Sequence, residues 1–427
     1  MLTLLVAAAL VTLAVLGTPL FAIIGASALL GFSREGVDLS VVAINIYGLS
    51  EVPVLVAIPL FTFAGYVFGE SDAPQRLVRV TNALLGRLRG GLAVVSLVTC
   101  ALFTAFTGAS GVTIVALGAI LYPALKQAGY TERFSLGLVT TSGSLGLLFA
   151  PALPLILYGV VAQQVSFEQP VRIDDLFRAG ILPGLSMVAV LSAWGVWKGE
   201  ARSASRPPFA WPEAWAALRE SAWELPLPFV VLGGIYGGYL ALSEAAAVTA
   251  LYAVLVEVVI RREIPLSKLP EVMRESMVLV GGILIILAVS LASTNYLIDV
   301  EVPTQLFELI RGQISDKWTF LILLNCFLLV LGMMLDIFSA IVIVVPIILP
   351  IAMGYGIHPI HLGIVFLANM QIGYITPPVG MNLFISSYRF DKPVMQVYRA
   401  TLPFFFLLLG LVLVFTYWPW LSLGLLE

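Results

Sequence analysis

The stretch from Gly90 to Leu125 constrains this chain most. It holds 36 residues without a charge, interrupted midway by Thr107-Gly-Ala-Ser-Gly-Val-Thr113. A membrane-crossing helix needs ~20 apolar residues, so the stretch is too long for one crossing and too short for two with a turn. A re-entrant hairpin fits, entering the bilayer, turning at its small hydroxyl-bearing tip and leaving on the same side. Such a tip exposes backbone groups at membrane depth, which is tolerated only inside protein or along a water-filled cavity.

The rest of the chain reads the same way. Of 427 residues, 60% are hydrophobic and 11% charged, where a soluble domain carries about 25% charged residues. Charge-free intervals recur at 1–33, 52–69, 134–167, 179–197, 276–298, 337–388 and 400–426. The expectation is an all-α integral membrane protein of many helices. No basic stripe accompanies the net charge of −3, which excludes a nucleic-acid partner. The amino terminus lacks a positive leader segment, so 1–33 is expected as retained membrane helix. Cys100 and Cys326 lie in apolar runs and read as small buried hydrophobes. The longest polar segment, from Lys198 to Glu224, reads as a loop.

That loop divides two halves, 1–197 and 225–427, whose helix-breaking residues recur at a fixed spacing. Gly129, Gly137, Pro123, Gly146 and Pro151 match Gly356, Gly363, Pro350, Gly373 and Pro378, and Ser110 falls opposite Asp336. Every pair stands at the same interval to within a single position. Each half then holds a hairpin, about 90–125 and 318–353, followed by a broken helix, about 134–161 and 360–388. Arg76, Arg79, Arg87 and Arg89 mark one loop as cytoplasmic, whereas its partner, 299–317, has two cations against four acids and reads as external. The repeats are therefore expected to be inverted, an architecture common in secondary transporters, with 198–224 a cytoplasmic linker. Arg76 to Arg89 would form an amphipathic arm on the membrane surface, against lipid.

The breaks fall in Ser142 to Pro154 and in Asn369 to Asn382. Proline removes a backbone donor and frees a carbonyl one turn earlier. Unwound carbonyls and hydroxyls ligate a hard cation such as sodium, and half-helix amino termini hold an anionic substrate. Two hairpin-and-break pairs would make two cation sites around one central substrate site; the plainer account is kinks and close packing of small residues. The central site would draw on Ser110, Ser144, Pro151, Thr376, Pro378 and Asn382. Asp336, the only acid between Trp318 and Tyr388, either serves the second cation site or caps a helix amino terminus. His358 and His361 lack Cys, Asp or Glu neighbours for a metal site and read as an interhelical loop after Gly356.

The motifs Ile58-Pro-Leu-Phe-Thr-Phe-Ala-Gly65, Arg87-Leu-Arg-Gly-Gly-Leu-Ala93, Leu145 to Gly159 and Leu242-Ser-Glu-Ala-Ala-Ala-Val248 have a familiar look. With Ile372-Gly-Tyr-Ile-Thr-Pro-Pro-Val-Gly-Met-Asn-Leu-Phe384, they resemble the large, DctM-like membrane subunit of tripartite ATP-independent periplasmic (TRAP) transporters, over essentially the whole chain. The resemblance implies a fold similar to divalent-anion/sodium symporters, with a scaffold and an elevator-like transport domain. It implies a first sodium site at Thr107, Ser110 and Thr113 with the backbone of Gly146, Phe149 and Pro151, and a second at Gly332, Gly373, Thr376 and Val379, with Asp336 close by. Ala109 and Ala150 stand where the family usually has a hydroxyl and a proline. Implied partners are a small four-helix (Q-type) membrane subunit and a soluble periplasmic binding protein, in a bacterial inner membrane.

The function expected is sodium-coupled import of a small organic acid or zwitterion. There is no Gly-x-x-x-x-Gly-Lys-Ser/Thr motif for ATP hydrolysis. The alternatives are a stand-alone sodium/anion symporter, a channel, and an intramembrane enzyme using Asp336, His358 and Ser110. Acid–base chemistry would need those three within hydrogen-bond reach, which their spacing does not require.

Overall fold

The computed structural model describes residues 10, 12–13, 16–86, 90–165, 170–199, 210–314 and 316–426. Among them there are helices, turns and no strand. Seven of these helices are long and apolar enough to cross a membrane, or up to nine if each of two bent pairs counts as one span. The expected helix over 1–33 lies partly outside the described residues, as do Arg87 and Arg89.

The first half opens with α1 (Leu20–Arg34), α2 (Ser40–Gly48), α3 (Ala57–Glu70) and α4 (Ala73–Leu85). The first hairpin follows as α5 (Gly91–Thr107), α6 (Ser110–Ala116) and α7 (Gly118–Gln127), with a 51° bend between the last two. At ~1.5 Å per residue α5 falls short of the ~30 Å hydrocarbon core. The first broken helix is α8 (Glu132–Ser142) and α9 (Leu153–Val165), and α10 (Ile173–Gly199) closes the half. The linker carries α11 (Trp211–Glu220), and the second half runs α12 (Pro226–Tyr236), α13 (Leu242–Val254, continued by a π-helical turn, Leu255–Ile260), α14 (Leu269–Asp299) and α15 (Val302–Gln313). Then come the second hairpin, α16 (Lys317–Met334) and α17 (Ile337–Gly354), the second broken helix, α18 (Pro359–Gly373) and α19 (Met381–Phe390), and α20 (Val394–Tyr417) with α21 (Trp420–Leu423).

Element borders recur along the chain at one interval. Ser110, where α6 starts, corresponds to Ile337, where α17 starts, and Gln127 at the end of α7 to Gly354 at the end of α17. The same interval carries Glu132, the start of α8, to Pro359, the start of α18. Packing is reciprocal: α20 lies on α8 and α10 on α18, while α6 packs on α19 and α17 on α9. Tyr158 of α9 donates its hydroxyl to the Pro359 carbonyl at 2.7 Å, and its ring fills the space above Gly363 of α18. Around this centre α13 and α14 pack on α3, and α14 on α1 and α2. The alanines of α13, with Ala245, Ala246, Ala250 and Ala253 buried, let it lie close to α3.

Four expectations change. The linker is not all loop: Ala, Leu and Glu favour helix, and α11 forms with Pro212 in its first turn, packed on α4. Arg79 of α4 pairs with Glu213 and Glu220 at the two ends of α11. Arg76, placed on a membrane-surface arm by sequence, is buried instead. Its guanidinium meets Glu224 at 2.7 Å, Glu257 at 3.1 Å and also Glu263. Burial works against the Glu263 charge, but Arg76 and the Asp72 N–H outweigh it and hold that carboxyl below its usual range. Cys326 is exposed and only Cys100 is buried. Leu323, Phe327 and Val330 share the outward side of α16, where lipid makes an apolar exposed face stable.

The fourth change concerns the histidines. His358 accepts from the Ile360 N–H and caps α18, but His361 is buried within the helix, 2.6 Å from the Ser422 hydroxyl. Its neighbour in a buried polar chain is Thr416, which joins Asn325 of α16 at 3.1 Å; Asn325 in turn accepts from Asn369 of α18 at 2.6 Å. This chain ties the second hairpin to the second broken helix and to α20. Asn325→Leu is expected to lower stability by about 1 kcal/mol per lost bond, read as a lower thermal midpoint in detergent; an unchanged midpoint would mean the chain is incidental.

Candidate functional site

The first hairpin turns at Gly108, whose φ of +64° suits glycine. Around the turn Thr104, Thr107, Ser110 and Thr113 are all buried. The Thr104 hydroxyl lies 2.7 Å from that of Thr113 and 3.0 Å from the Gly143 carbonyl at the end of α8. The Thr107 hydroxyl is buried with no hydrogen-bond partner. Opposite, the chain leaves the helix at Gly143, makes one 3-10 turn over Leu145–Leu148 and extends at Phe149 before Pro151. A Cβ on Gly146 would sit 2.3 Å from the Ala101 carbonyl and 2.5 Å from the Ala105 nitrogen, so the break presses backbone against α5. One on Gly143 would come 3.2 Å from the Ser110 carbonyl. The structure thus brings Ser110, Thr113 and Gly146 to one junction around Thr104 and Gly143, with Thr107 at the hairpin turn and its backbone against Gly65 of α3. Phe149 turns its ring to Gly184 of α10, leaving its backbone at the break. Sequence reading misses Thr104; its place one helical turn before Thr107 is the available signal.

The second junction is built likewise. A Cβ on Gly373 would lie 2.4 Å from the carbonyl carbon of Gly332, so the two backbones touch. The Gly380 N–H donates to the Met333 carbonyl at 3.0 Å, and the Ile337 N–H to the Tyr374 hydroxyl at 2.7 Å, fixing the 374–380 segment to the hairpin tip. Peptide bonds before Pro151 and Pro378 are both cis. Thr376 is buried, its hydroxyl on the Ile372 carbonyl at 2.8 Å, while the Val379 side chain is 45% exposed and leaves only its backbone for the site. Asp336 caps α17, accepting from the N–H groups of Phe338 and Ser339 at 3.0 Å each. It also lines a cavity of about 240 Å³ between α17 and α14.

Between the junctions the polar residues are neutral. Asn382 of α19 donates to the Thr140 carbonyl of α8 at 3.3 Å, joining the two broken helices. Ser144, Thr141, Gln371 and Ser386 are buried in the same helices and the breaks between them. Oxygen donors of this kind suit a hard cation, and amide and hydroxyl groups suit a small polar solute. Among the described residues no cluster of three His, Cys, Asp or Glu could hold a metal.

Residues 4–421 match the family described as tripartite ATP-independent periplasmic transporter, DctM component. The chain belongs to that family. It is 34% identical over 402 residues to the C4-dicarboxylate TRAP transporter large permease DctM of Pseudomonas aeruginosa, covering 94% of this chain and 92% of the relative. To the isethionate TRAP transporter permease DctMQ of Oleidesulfovibrio alaskensis it is 33% identical, covering 95% of this chain but only 63% of that longer protein. Among solved structures, the YdaH transporter of Alcanivorax borkumensis superposes with a TM-score of 0.63 at 15% identity, over 90% of this chain and 88% of that one, a likeness of fold. This TRAP large permease is therefore a multi-pass inner-membrane transport subunit, not an enzyme.

Proposed function

We propose that this TRAP permease couples inward sodium flow to the import of a small organic acid or zwitterion. Two or more sodium ions would bind at the hairpin–break junctions, the first held by Thr107, Ser110 and Thr113 with the carbonyls of Gly146, Phe149 and Pro151. The second would use Gly332, Gly373, Thr376 and Val379, with the Asp336 charge nearby. The carrying observation is the Thr107 hydroxyl, buried without a partner at the turn of the first hairpin; a buried polar atom left unpaired is costly.

The substrate would lie between the junctions, against Ser110, Ser144, Pro151, Thr376, Pro378 and Asn382, and hairpins and broken helices would move as one body past α1–α3, α13 and α14. In support of an inverted pair, element borders recur at a single interval and the halves exchange packing partners. The drive would be the sodium gradient plus about 2.3 kcal/mol per charge at 100 mV. A small four-helix membrane subunit and a periplasmic binding protein would complete the transporter.

Alanine at Thr107, Ser110 or Thr376 should raise the sodium concentration for half-maximal uptake at least ~2-fold, as expected for a lost oxygen ligand or hydrogen bond worth about 0.5–1.5 kcal/mol, with the protein still assembled. Unchanged sodium dependence in all three would remove the sites from these junctions.

A further inference from the structure

Gln371 carries both ends of its side-chain amide, Oε1 and Nε2, fully buried without a hydrogen-bond partner. Leaving such a group unpaired is costly. Because both ends are unpaired, the observation is indifferent to which way the amide is flipped. Gln371 sits two residues before Gly373, as Ser144 sits two before Gly146. Its helix, α18, packs on the first break at Leu145–Leu148. On neighbouring α19, Asn382 Oδ1 is also buried and unpaired. Its orientation is set, because Nδ2 donates to the Thr140 carbonyl. The Ser386 and Thr141 hydroxyls are buried and unpaired as well.

The unpaired set thus holds two amide oxygens that only accept, one amide NH₂ that only donates, and hydroxyls that do either. A plain dicarboxylate, ionised, offers acceptors alone and would leave both amide oxygens unsatisfied. A solute with an anionic group and its own N–H or O–H donors offers partners to the donors and the acceptors alike.

We propose that Gln371 is a specificity-determining residue of the central site, and that the site takes a small anion or zwitterion bearing hydrogen-bond donors. This rests on the central substrate site of the symporter proposed above, but its test does not depend on sodium coupling. In a Cys100→Ala, Cys326→Ala background, Gln371→Cys would be reconstituted in proteoliposomes and labelled with a small charged methanethiosulfonate, beside Leu362→Cys, buried on the opposite side of α18. A thiol reacts only when it is reached, so Gln371→Cys should label at least about tenfold faster than Leu362→Cys. Equal rates would overturn the assignment; if they came with intact sodium-driven uptake, the symporter reading would survive. An excess of ectoine or isethionate, which carry donors, should slow labelling more than succinate does. Any other ranking contradicts the donor argument. Should the cysteine variant fail to assemble, Gln371→Glu answers the same question: it should raise the KM for an anionic substrate at saturating sodium, and an unchanged KM would count against the proposal.

Discussion

Gly373→Ala and Gly146→Ala should each cut uptake by at least about tenfold. The methyl group at 373 would lie 2.4 Å from the Gly332 carbonyl carbon and 2.5 Å from its Cα. At 146 it would lie 2.3 Å from the Ala101 carbonyl and 2.5 Å from the Ala105 nitrogen. These are backbone atoms within helices, so no rotamer change relieves the clash, and the hairpin must back away from the break. Overpacking of this kind costs typically 1–3 kcal/mol. The larger effect is geometric, since a binding constellation tolerates displacements of only ≈ 0.5 Å. Sodium affinity and substrate uptake should fall together, because in the proposed symporter each junction would position both. Gly281→Ala and Gly282→Ala on α14 are the controls: nothing lies within 4 Å of either added methyl, and helix propensity favours alanine by up to ~1 kcal/mol. Uptake assays and thermal unfolding on the same preparations would check this. Wild-type uptake from the Gly146 and Gly373 variants would mean that hairpin and break do not need to touch.

The second large effect is on stability. Arg76→Leu should destabilise the protein by about 3–5 kcal/mol, the cost of removing one partner from a buried ion pair. Glu224 and Glu257 are both buried, Glu257 completely, and Glu263 also spends an oxygen on the Asp72 N–H at 2.8 Å. Arg261 lies 3.3 Å from Glu224 and cannot neutralise three carboxylates alone. Arg76→Lys keeps the charge but loses the forked geometry that reaches several acids at once, so it should rescue in part. The readout is the thermal midpoint in detergent and the yield of folded protein. The cluster links α4 to the Glu224 segment, the end of α13 and the turn beyond it, so its loss should also loosen the entry to the first hairpin. A midpoint equal to wild type would show that the acids are paired or protonated without Arg76.

Local breakers make much of this fold legible. Helices α5 to α7 run from Gly91 to Gln127 and α16 with α17 from Lys317 to Gly354, and the interruptions after Ser142 and Gly373 fall on the glycines and prolines that announce them. Such residues act within a turn of where they stand, so sequence places them well. What depends on distant partners is not legible. Arg76 looks like a surface arginine because its acids come more than a hundred residues later. Thr104 looks like one more residue of an apolar helix until the Gly143 carbonyl folds against it. Cys326 misleads for a different reason: in a membrane, apolar character marks lipid-facing and core surfaces alike. Sequence leaves Asp336 between two roles, and its carboxylate is found capping α17.

The most direct measurement is uptake into proteoliposomes containing this chain and its small membrane partner, with candidate binding proteins and labelled substrates outside and sodium varied on each side. Uptake should require both an inward sodium gradient and a binding protein, and should collapse when either is removed. Uptake that proceeds undiminished without sodium would contradict the proposed coupling.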